Sequence, residues 1–332
     1  MGKRRTLIDR RTYKRNQLVE RTRQALQLTS DDEAIELLRI GRRQAVRINP
    51  LKGSVDDSRE RLNSLLGDTL SASPLYEYGY LVDGDLSAVR DSRLQQEGYV
   101  YIQNAASWLP VLQLNPQPDE VVLDMCAAPG GKTSLIAAMS QNKAQITAND
   151  NSRPRLMRLK ANMERLGADI EQFTLYDASS LTRSLAPEMF DKILLDAPCS
   201  GEGMMQYDTD KDFDSWSTAH VKRLGKLQRK LIMQAWELLK PGGTLIYSTC
   251  TMAPEENEAV IDYLLRHVNG AAIVRHDYPE AAGFNRVSPV LSWGEKRYDH
   301  RIADTLRLAP SVSAEAFYVC HLRKASEDAI NP

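Results

Sequence analysis

From Val121 onward the chain alternates short apolar runs with longer amphipathic stretches. The runs are Val121-Val122-Leu123-Asp124, Ala144-Gln145-Ile146-Thr147-Ala148, Gln172-Phe173-Thr174-Leu175, Lys192-Ile193-Leu194-Leu195 and Thr244-Leu245-Ile246-Tyr247. Helical spacing fills residues 155–166 and 221–239, and Lys240-Pro241-Gly242-Gly243 is predicted to stop the second of these helices. Continuous apolar strands alternating with helices predict an α/β domain whose mostly parallel sheet is covered on both faces. In such a sheet, ligands sit at the carboxyl ends of the strands. The first hundred residues read differently, as a small α+β segment. Ser30-Asp31-Asp32 offers an N-cap to a helix beginning at Glu33, and Gln44-Ala45-Val46-Arg47-Ile48 alternates like a strand until Asn49-Pro50 breaks it. The predicted divisions are an arm at 1–30, a small subdomain at 31–110, the α/β domain at 111–325 and a tail at 326–332.

With 332 residues, 42% of them hydrophobic and 26% charged, the chain is long enough for one α/β domain and an appendage. The formal net charge of -1 conceals a basic start, where Lys3, Arg4, Arg5, Arg10, Arg11, Lys14, Arg15, Arg21 and Arg23 outnumber the acids. Such a run points to a polyanion partner or to a solvated helix face. Thr6-Leu7-Ile8 is too short for the apolar core of a secretory signal, and no window reads as a membrane span. Cys126, Cys199, Cys250 and Cys320 are widely separated, without CxxC pairs or histidines at zinc spacing. No metal is expected, and a reducing, cytoplasmic setting fits.

The candidate chemistry gathers at strand ends. Asp124, Asp150, Asp177 and Asp196 each lie at or just after a predicted strand, where a carboxylate can bind a ribose hydroxyl or a base amino group. Any one of them alone reads equally well as a helix cap. The first strand runs into Cys126-Ala127-Ala128-Pro129-Gly130-Gly131-Lys132-Thr133, whose small residues allow close backbone approach and whose next helix opens amides toward an anion. A phosphate loop needs a glycine where Cys126 stands, and GxGxxG is absent, so triphosphate and dinucleotide sites are disfavoured. The fourth strand delivers Cys199 and the fifth Cys250. A buried cysteine is usually a small hydrophobe, but two thiols leaving neighbouring strands beside a small-molecule loop suit nucleophilic catalysis. Cys126 is expected to line that loop, and Cys320, within Ala316-Phe317-Tyr318-Val319-Cys320, to be core.

These motifs together resemble the Nop2/Sun (NSUN, RsmB-like) RNA cytosine-5 methyltransferases. The resemblance rests on DMCAAPGGKT at 124–133, DAPCSGEG at 196–203, KPGG at 240–243, YSTCT at 247–251 and PEENE at 254–258, with GYVYIQNAAS at 98–107, and runs from about Arg47 to Lys324. It implies a Rossmann-like S-adenosylmethionine-dependent domain behind a small N-terminal RNA-binding subdomain. By the same resemblance, residues Cys126, Ala127, Ala128, Pro129, Gly130, Gly131 and Lys132 hold the methionine part of the cofactor, Asp150 the ribose and Asp177 the adenine, while Asp196 lies between cofactor and base. Cys250 is the expected nucleophile toward cytosine C6, Cys199 the residue that assists product release, and Lys132 a partner of Asp196 or of a thiol. The implied substrate is ribosomal or transfer RNA, acted on by a monomer.

Two departures from the family pattern stand out. Met204-Met205-Gln206-Tyr207-Asp208 replaces the basic residues frequent after Gly203, and Gln103-Asn104-Ala105 replaces an acidic pair. The ending soon after the last predicted strand leaves no room in this sequence for an appended C-terminal RNA-binding domain. A catalytically inactive RNA-binding or ribosome assembly factor is the competing expectation, which the intact Cys199, Cys250 and Asp196 oppose. An oxidoreductase is disfavoured by the missing GxGxxG, and a DNA cytosine methyltransferase by the presence of Cys250 beside the Pro-Cys motif.

Overall fold

The computed structural model describes residues 2–275 and 284–326, with side chains from Arg10 onward. The predicted tail therefore lies outside the described residues, apart from Ser326. A helix at Gly2–Ala25 opens the chain, and a second follows at Asp31–Arg39, where the Ser30 side chain accepts a hydrogen bond from Glu33 N as the capping pattern predicts. Strands β1 (Gln44–Ile48), β2 (Leu70–Ala72), β3 (Gly79–Val82) and β4 (Val100–Ile102) form an antiparallel sheet in the order β2-β3-β1-β4. β1 occupies the residues that its alternation predicts.

The larger sheet begins with β5 (Val121–Asp124), β6 (Gln145–Asn149), β7 (Gln172–Thr174), β8 (Phe190–Asp196) and β9 (Leu239–Thr249), which pair in parallel. It continues through β10 (Ala271–Ile273), β11 (Asn285–Val287), β14 (Leu306–Ala309) and β15 (Phe317–Lys324), all antiparallel, while β12 (Ser292–Trp293) and β13 (Lys296–Arg297) form a separate hairpin. The order is β11-β14-β15-β9-β8-β5-β6-β7, with β10 on β15.

Side chains alternate between the two faces, as the two-residue period of a strand requires. Val122, Ile146, Leu194 and Ile246 pack with Leu135, Ile136, Leu159 and Leu166, from the helices Gly131–Met139 and Arg153–Leu166. Leu123, Ile193, Leu195, Leu245 and Tyr247 pack on the other face with Leu231, Ile232, Ile261 and Leu264, from the helices Thr218–Leu238 and Glu258–His267. The sheet is thus covered on both sides, as the apolar runs predict.

The segment Lys240-Pro241-Gly242-Gly243 differs from its predicted role. The helix already ends at Leu238, and these residues belong to β9. Phe190 pairs with Leu239 and Lys192 with Thr244, so β8 advances two residues while β9 advances five. The Pro and glycines accommodate this bulge, with Gly242 at φ 76°.

Two buried polar side chains tie the small sheet to the large domain. Arg47 of β1 donates to Gly131 O at 3.1 Å and to Ser134 Oγ at 2.6 Å, and burial pulls its guanidinium down to about 10. Asn49 donates to both Gly98 O and Leu166 O.

A further buried pair anchors β14, where Arg307 donates to both carboxylate oxygens of Glu258, at 2.9 and 2.8 Å, with both residues almost fully enclosed. Removing one partner of such a pair leaves an uncompensated charge, at a cost of ~3–5 kcal/mol. Arg307→Ala is therefore expected to lower the stability measured by urea unfolding by roughly that amount, whereas the double change Arg307→Met with Glu258→Leu costs much less.

Candidate active site

β8 and β9 run parallel with Asp196 opposite Ser248, so the chain leaves both strands at one level of the crevice. Cys250 directly follows β9 and Cys199 lies three residues past Asp196, which brings the two Sγ atoms to 3.2 Å. Both are free thiols. Contact with Cys250, and then burial, lift the Cys199 thiol well above the usual thiol range. Cys199 therefore keeps its proton and can donate it toward Cys250.

Asp196 stands beside the thiols with both oxygens engaged. Oδ1 accepts from Ser248 Oγ at 2.7 Å and Oδ2 meets Lys132 Nζ at 2.7 Å. Burial opposes the Lys132 ammonium, yet the adjoining Asp196 keeps its pKa above the ordinary lysine value. The same ammonium lies 5.6 Å from the centre of the Phe317 ring.

Several residues that the sequence reading left without a role hold this centre in place. Glu256 accepts from Ser200 N and from Gln228 Nε2, both at 2.9 Å, and Gln228 also donates to Pro198 O. The backbone on either side of Cys199 is thereby fixed. Burial raises the Glu256 carboxyl to about 7. Glu202 accepts from Trp216 Nε1 at 3.0 Å and from Thr251 Oγ1 at 3.3 Å. Gly203 donates its N–H to Cys250 O at 3.0 Å, and a Cβ there would sit 2.3 Å from Ala316 O and 2.8 Å from Cys250 O. The motifs DAPCSGEG and PEENE contain Glu202, Gly203 and Glu256, but their partners are distant in sequence and only the fold reveals them.

A cavity of about 440 Å³ opens beside the thiols, lined by Cys126, Ala128, Asp150, Asp177, Asp196, Cys199 and Cys250 together with Leu227 and Leu231. Asp150 accepts from Ser152 N and pairs with Arg155, and Asp177 accepts from Ser179 N, so both carboxylates also shape their own loops. Asp124 does not reach this cavity. It is buried against Thr133 Oγ1, is raised by burial to about 7, and lines a smaller 210 Å³ hollow with Tyr101, Gln103, Ala127, Pro129, Gly131 and Lys132. In the loop, Gly130 has φ 107° and a Cβ there would approach Met163 Cε to 2.5 Å, so only glycine fits. Cys320 is buried in β15, within the core. A larger hollow of about 720 Å³, at the amino ends of the strands, contains none of the predicted catalytic or cofactor residues.

The basic N-terminal run turns toward the chain itself. Arg11 pairs with Asp210 and Asp214, Arg15 with Asp210, Arg21 with Glu255 and Arg23 with Asp31, while Lys14 donates to Phe213 O. Leu18 and Val19 of the same helix pack with Met205, Phe213 and Trp216. These cations are taken up by the chain's own acids and carbonyls rather than presented to a polyanion. Among the described residues, no helix is long and apolar enough to cross a membrane, and no group of three His, Cys, Asp or Glu is placed to hold a metal.

A parallel sheet extended by antiparallel β15 and β14, with a glycine loop and carboxylates around one crevice at its strand ends, defines the class of S-adenosylmethionine-dependent methyltransferases. The profile described as 16S rRNA methyltransferase RsmB/F matches residues 111–323. The chain belongs to that family, among the Nop2/Sun RNA cytosine-5 methyltransferases. It is 35% identical over 300 residues to the tRNA (cytosine(49)-C(5))-methyltransferase of Pyrococcus abyssi, covering 85% of this chain and 88% of that protein. It is 38% identical over 288 residues to ribosomal RNA small subunit methyltransferase F of Escherichia fergusonii, covering 85% of this chain but only 57% of that protein. The crystal structure of a methyltransferase homolog from Pyrococcus horikoshii superposes with a TM-score of 0.75 at 28% identity, over 93% of this chain and 99% of that one.

The residues present fit S-adenosylmethionine. The cavity lies in the ~300–1,000 Å³ range of small-molecule sites, Leu227 and Leu231 give it an apolar wall, and two carboxylates stand on its rim. Since a hydrogen bond to a charged group contributes ~1.5–3 kcal/mol, Asp150→Ala and Asp177→Ala are each expected to weaken cofactor binding by roughly ten- to a hundredfold. Isothermal titration with S-adenosylmethionine alone checks this, and unchanged affinity in both variants would remove the carboxylates from the site.

Proposed function

We propose that this chain transfers a methyl group from S-adenosylmethionine to C5 of a cytosine in RNA, through a covalent bond between Cys250 Sγ and C6, with Cys199 assisting release. The observation that carries the reading is the 3.2 Å contact between the two thiols, beside the Lys132–Asp196 pair and the cofactor-sized cavity.

C5 of cytosine is a poor nucleophile, and addition of a thiolate at C6 gives it enamine character. When bound, S-adenosylmethionine supplies an electrophilic methyl group. Cys199 holds a proton and Cys250 is the sulfur that faces it, which favours Cys250 as the attacking thiolate. Asp196, paired with Lys132 and Ser248, offers acceptor oxygens to the exocyclic amino group of the base. After transfer, the C5 proton passes to the Cys199 sulfur as Cys199 gives its own proton to the departing Cys250 sulfur. The C5 electron pair then restores the C5–C6 double bond. A base must leave its stack to reach the crevice, which favours unpaired or remodelled RNA. The names of the relatives support both ribosomal and transfer RNA as substrate class. Exposed Met204, in the loop after Cys199, suits apolar contact with that RNA.

Incubation with RNA and S-adenosylmethionine followed by denaturing electrophoresis tests the assignment. Cys250→Ala is expected to give neither methylation nor adduct, and Cys199→Ala to accumulate enzyme covalently held on RNA. Equal adduct formation by the two variants would overturn the roles.

A further inference from the structure

Glu315 belongs to no motif quoted above, and its surroundings are unusual for a carboxyl. It is only 6% exposed, yet among the described residues its oxygens make no hydrogen bond or ion pair. It lies in the short segment before β15 that is pressed against the nucleophile loop. Tyr318 pairs with Thr249, the residue before Cys250, and Ala316 O is the atom nearest to a Cβ built on Gly203. Phe317, two residues on, lies against the Lys132 ammonium. That ammonium is the hub of the site, interacting with Asp196, Cys250 and Glu315 together. The charged groups that face Glu315 are Lys132, Asp196 and, from the N-terminal segment, Arg42, whose Nε is itself buried without a partner. A buried carboxyl without hydrogen bonds is costly to maintain, and the missing partner is most simply supplied by something that enters the site.

Cytosine presents one donor, its amino group, and two acceptors, N3 and O2. Both Asp196 oxygens are committed to Lys132 and Ser248, and an ionised carboxylate can only accept. The electrons displaced when a thiolate adds to C6 flow through C4 to N3 and O2, so a donor aimed at that edge acts where charge develops.

We propose, resting on the methyl-transfer reading above, that Glu315 is a further catalytic residue that donates a hydrogen bond to the N3/O2 edge of the target cytosine as Cys250 adds to C6. The Cys250 Sγ–C6 bond forms, the displaced pair moves to N3 and O2, and the Glu315 proton is lent to that edge. It returns to Glu315 when Cys250 departs and the ring regains its aromaticity. Burial raises the Glu315 carboxyl to about 7, with Lys132 and Arg42 opposing the rise and Asp196 adding to it, so the donor form is present through neutral pH and is lost above it.

The test is single-turnover methyl transfer from tritiated S-adenosylmethionine to total RNA from a host lacking the gene, across pH 6 to 9, with the full chain. Glu315→Ala is expected to lose about a hundred- to a thousandfold in rate, with its affinity for S-adenosylmethionine unchanged. Glu315→Gln keeps a donor that does not titrate. Its rate relative to wild type is expected to rise about tenfold per pH unit above the Glu315 titration, whereas a merely structural residue leaves that ratio flat. A wild-type rate in Glu315→Ala, or a flat ratio for Glu315→Gln, overturns this proposal alone. Absence of transfer by the wild-type chain overturns the underlying reading and this one with it.

Discussion

The parallel pairing of β8 with β9, which sets Asp196 opposite Ser248, is the constraint on which the site depends. A shift of one residue would turn each side chain to the other face of the sheet, removing the Ser248–Asp196 hydrogen bond and separating the thiols. Leu194 and Ile246 on one face and Leu195 and Tyr247 on the other hold the register, because each must enter its own core. The 3.2 Å thiol contact is therefore a product of core packing as much as of local loop structure.

The loops beyond the two strands would be free to drift without the buried acids that bind them. Glu256 and Gln228 hold the Cys199 backbone, Glu202 reaches Trp216 and Thr251, and Arg21 of the first helix bonds Glu255 while lying 3.8 Å from Glu202. Arg21 thus spans the loop that follows Cys199 and the loop that follows Cys250. The packing of Leu18 and Val19 seats that helix, so hydrophobic burial far from the chemistry fixes the position of an ion pair near it. Arg47 performs the equivalent task for the cofactor loop, by reaching from the small sheet to Gly131 O and Ser134 Oγ.

Sequence periodicity was enough to read the parallel strands and the helices that cover them, because burial on both faces leaves continuous apolar runs. It failed at Lys240-Pro241-Gly242-Gly243, where Pro and glycines serve a bulge in β9 instead of a helix stop. Both uses need the same residues, and local pattern does not separate them. The thiols, the strand-end aspartates and the glycine loop were legible because each sits where a strand ends. Glu315, Glu256 and Arg21 were not, since their meaning lies in partners far away along the chain. The basic start looked like a surface for a polyanion for the same reason: Asp210, Asp214 and Glu255, which take up its charge, are nearly two hundred residues or more distant.

The central claim is that these residues together methylate C5 of a cytosine in RNA. Bisulfite sequencing of total RNA from the native host, with and without this gene, tests it most directly, because 5-methylcytosine resists conversion. The account predicts that deletion removes protection at a specific cytosine, and that a wild-type copy restores it where a Cys250→Ala copy does not. An unchanged protection map, under conditions in which the gene is expressed, would contradict it.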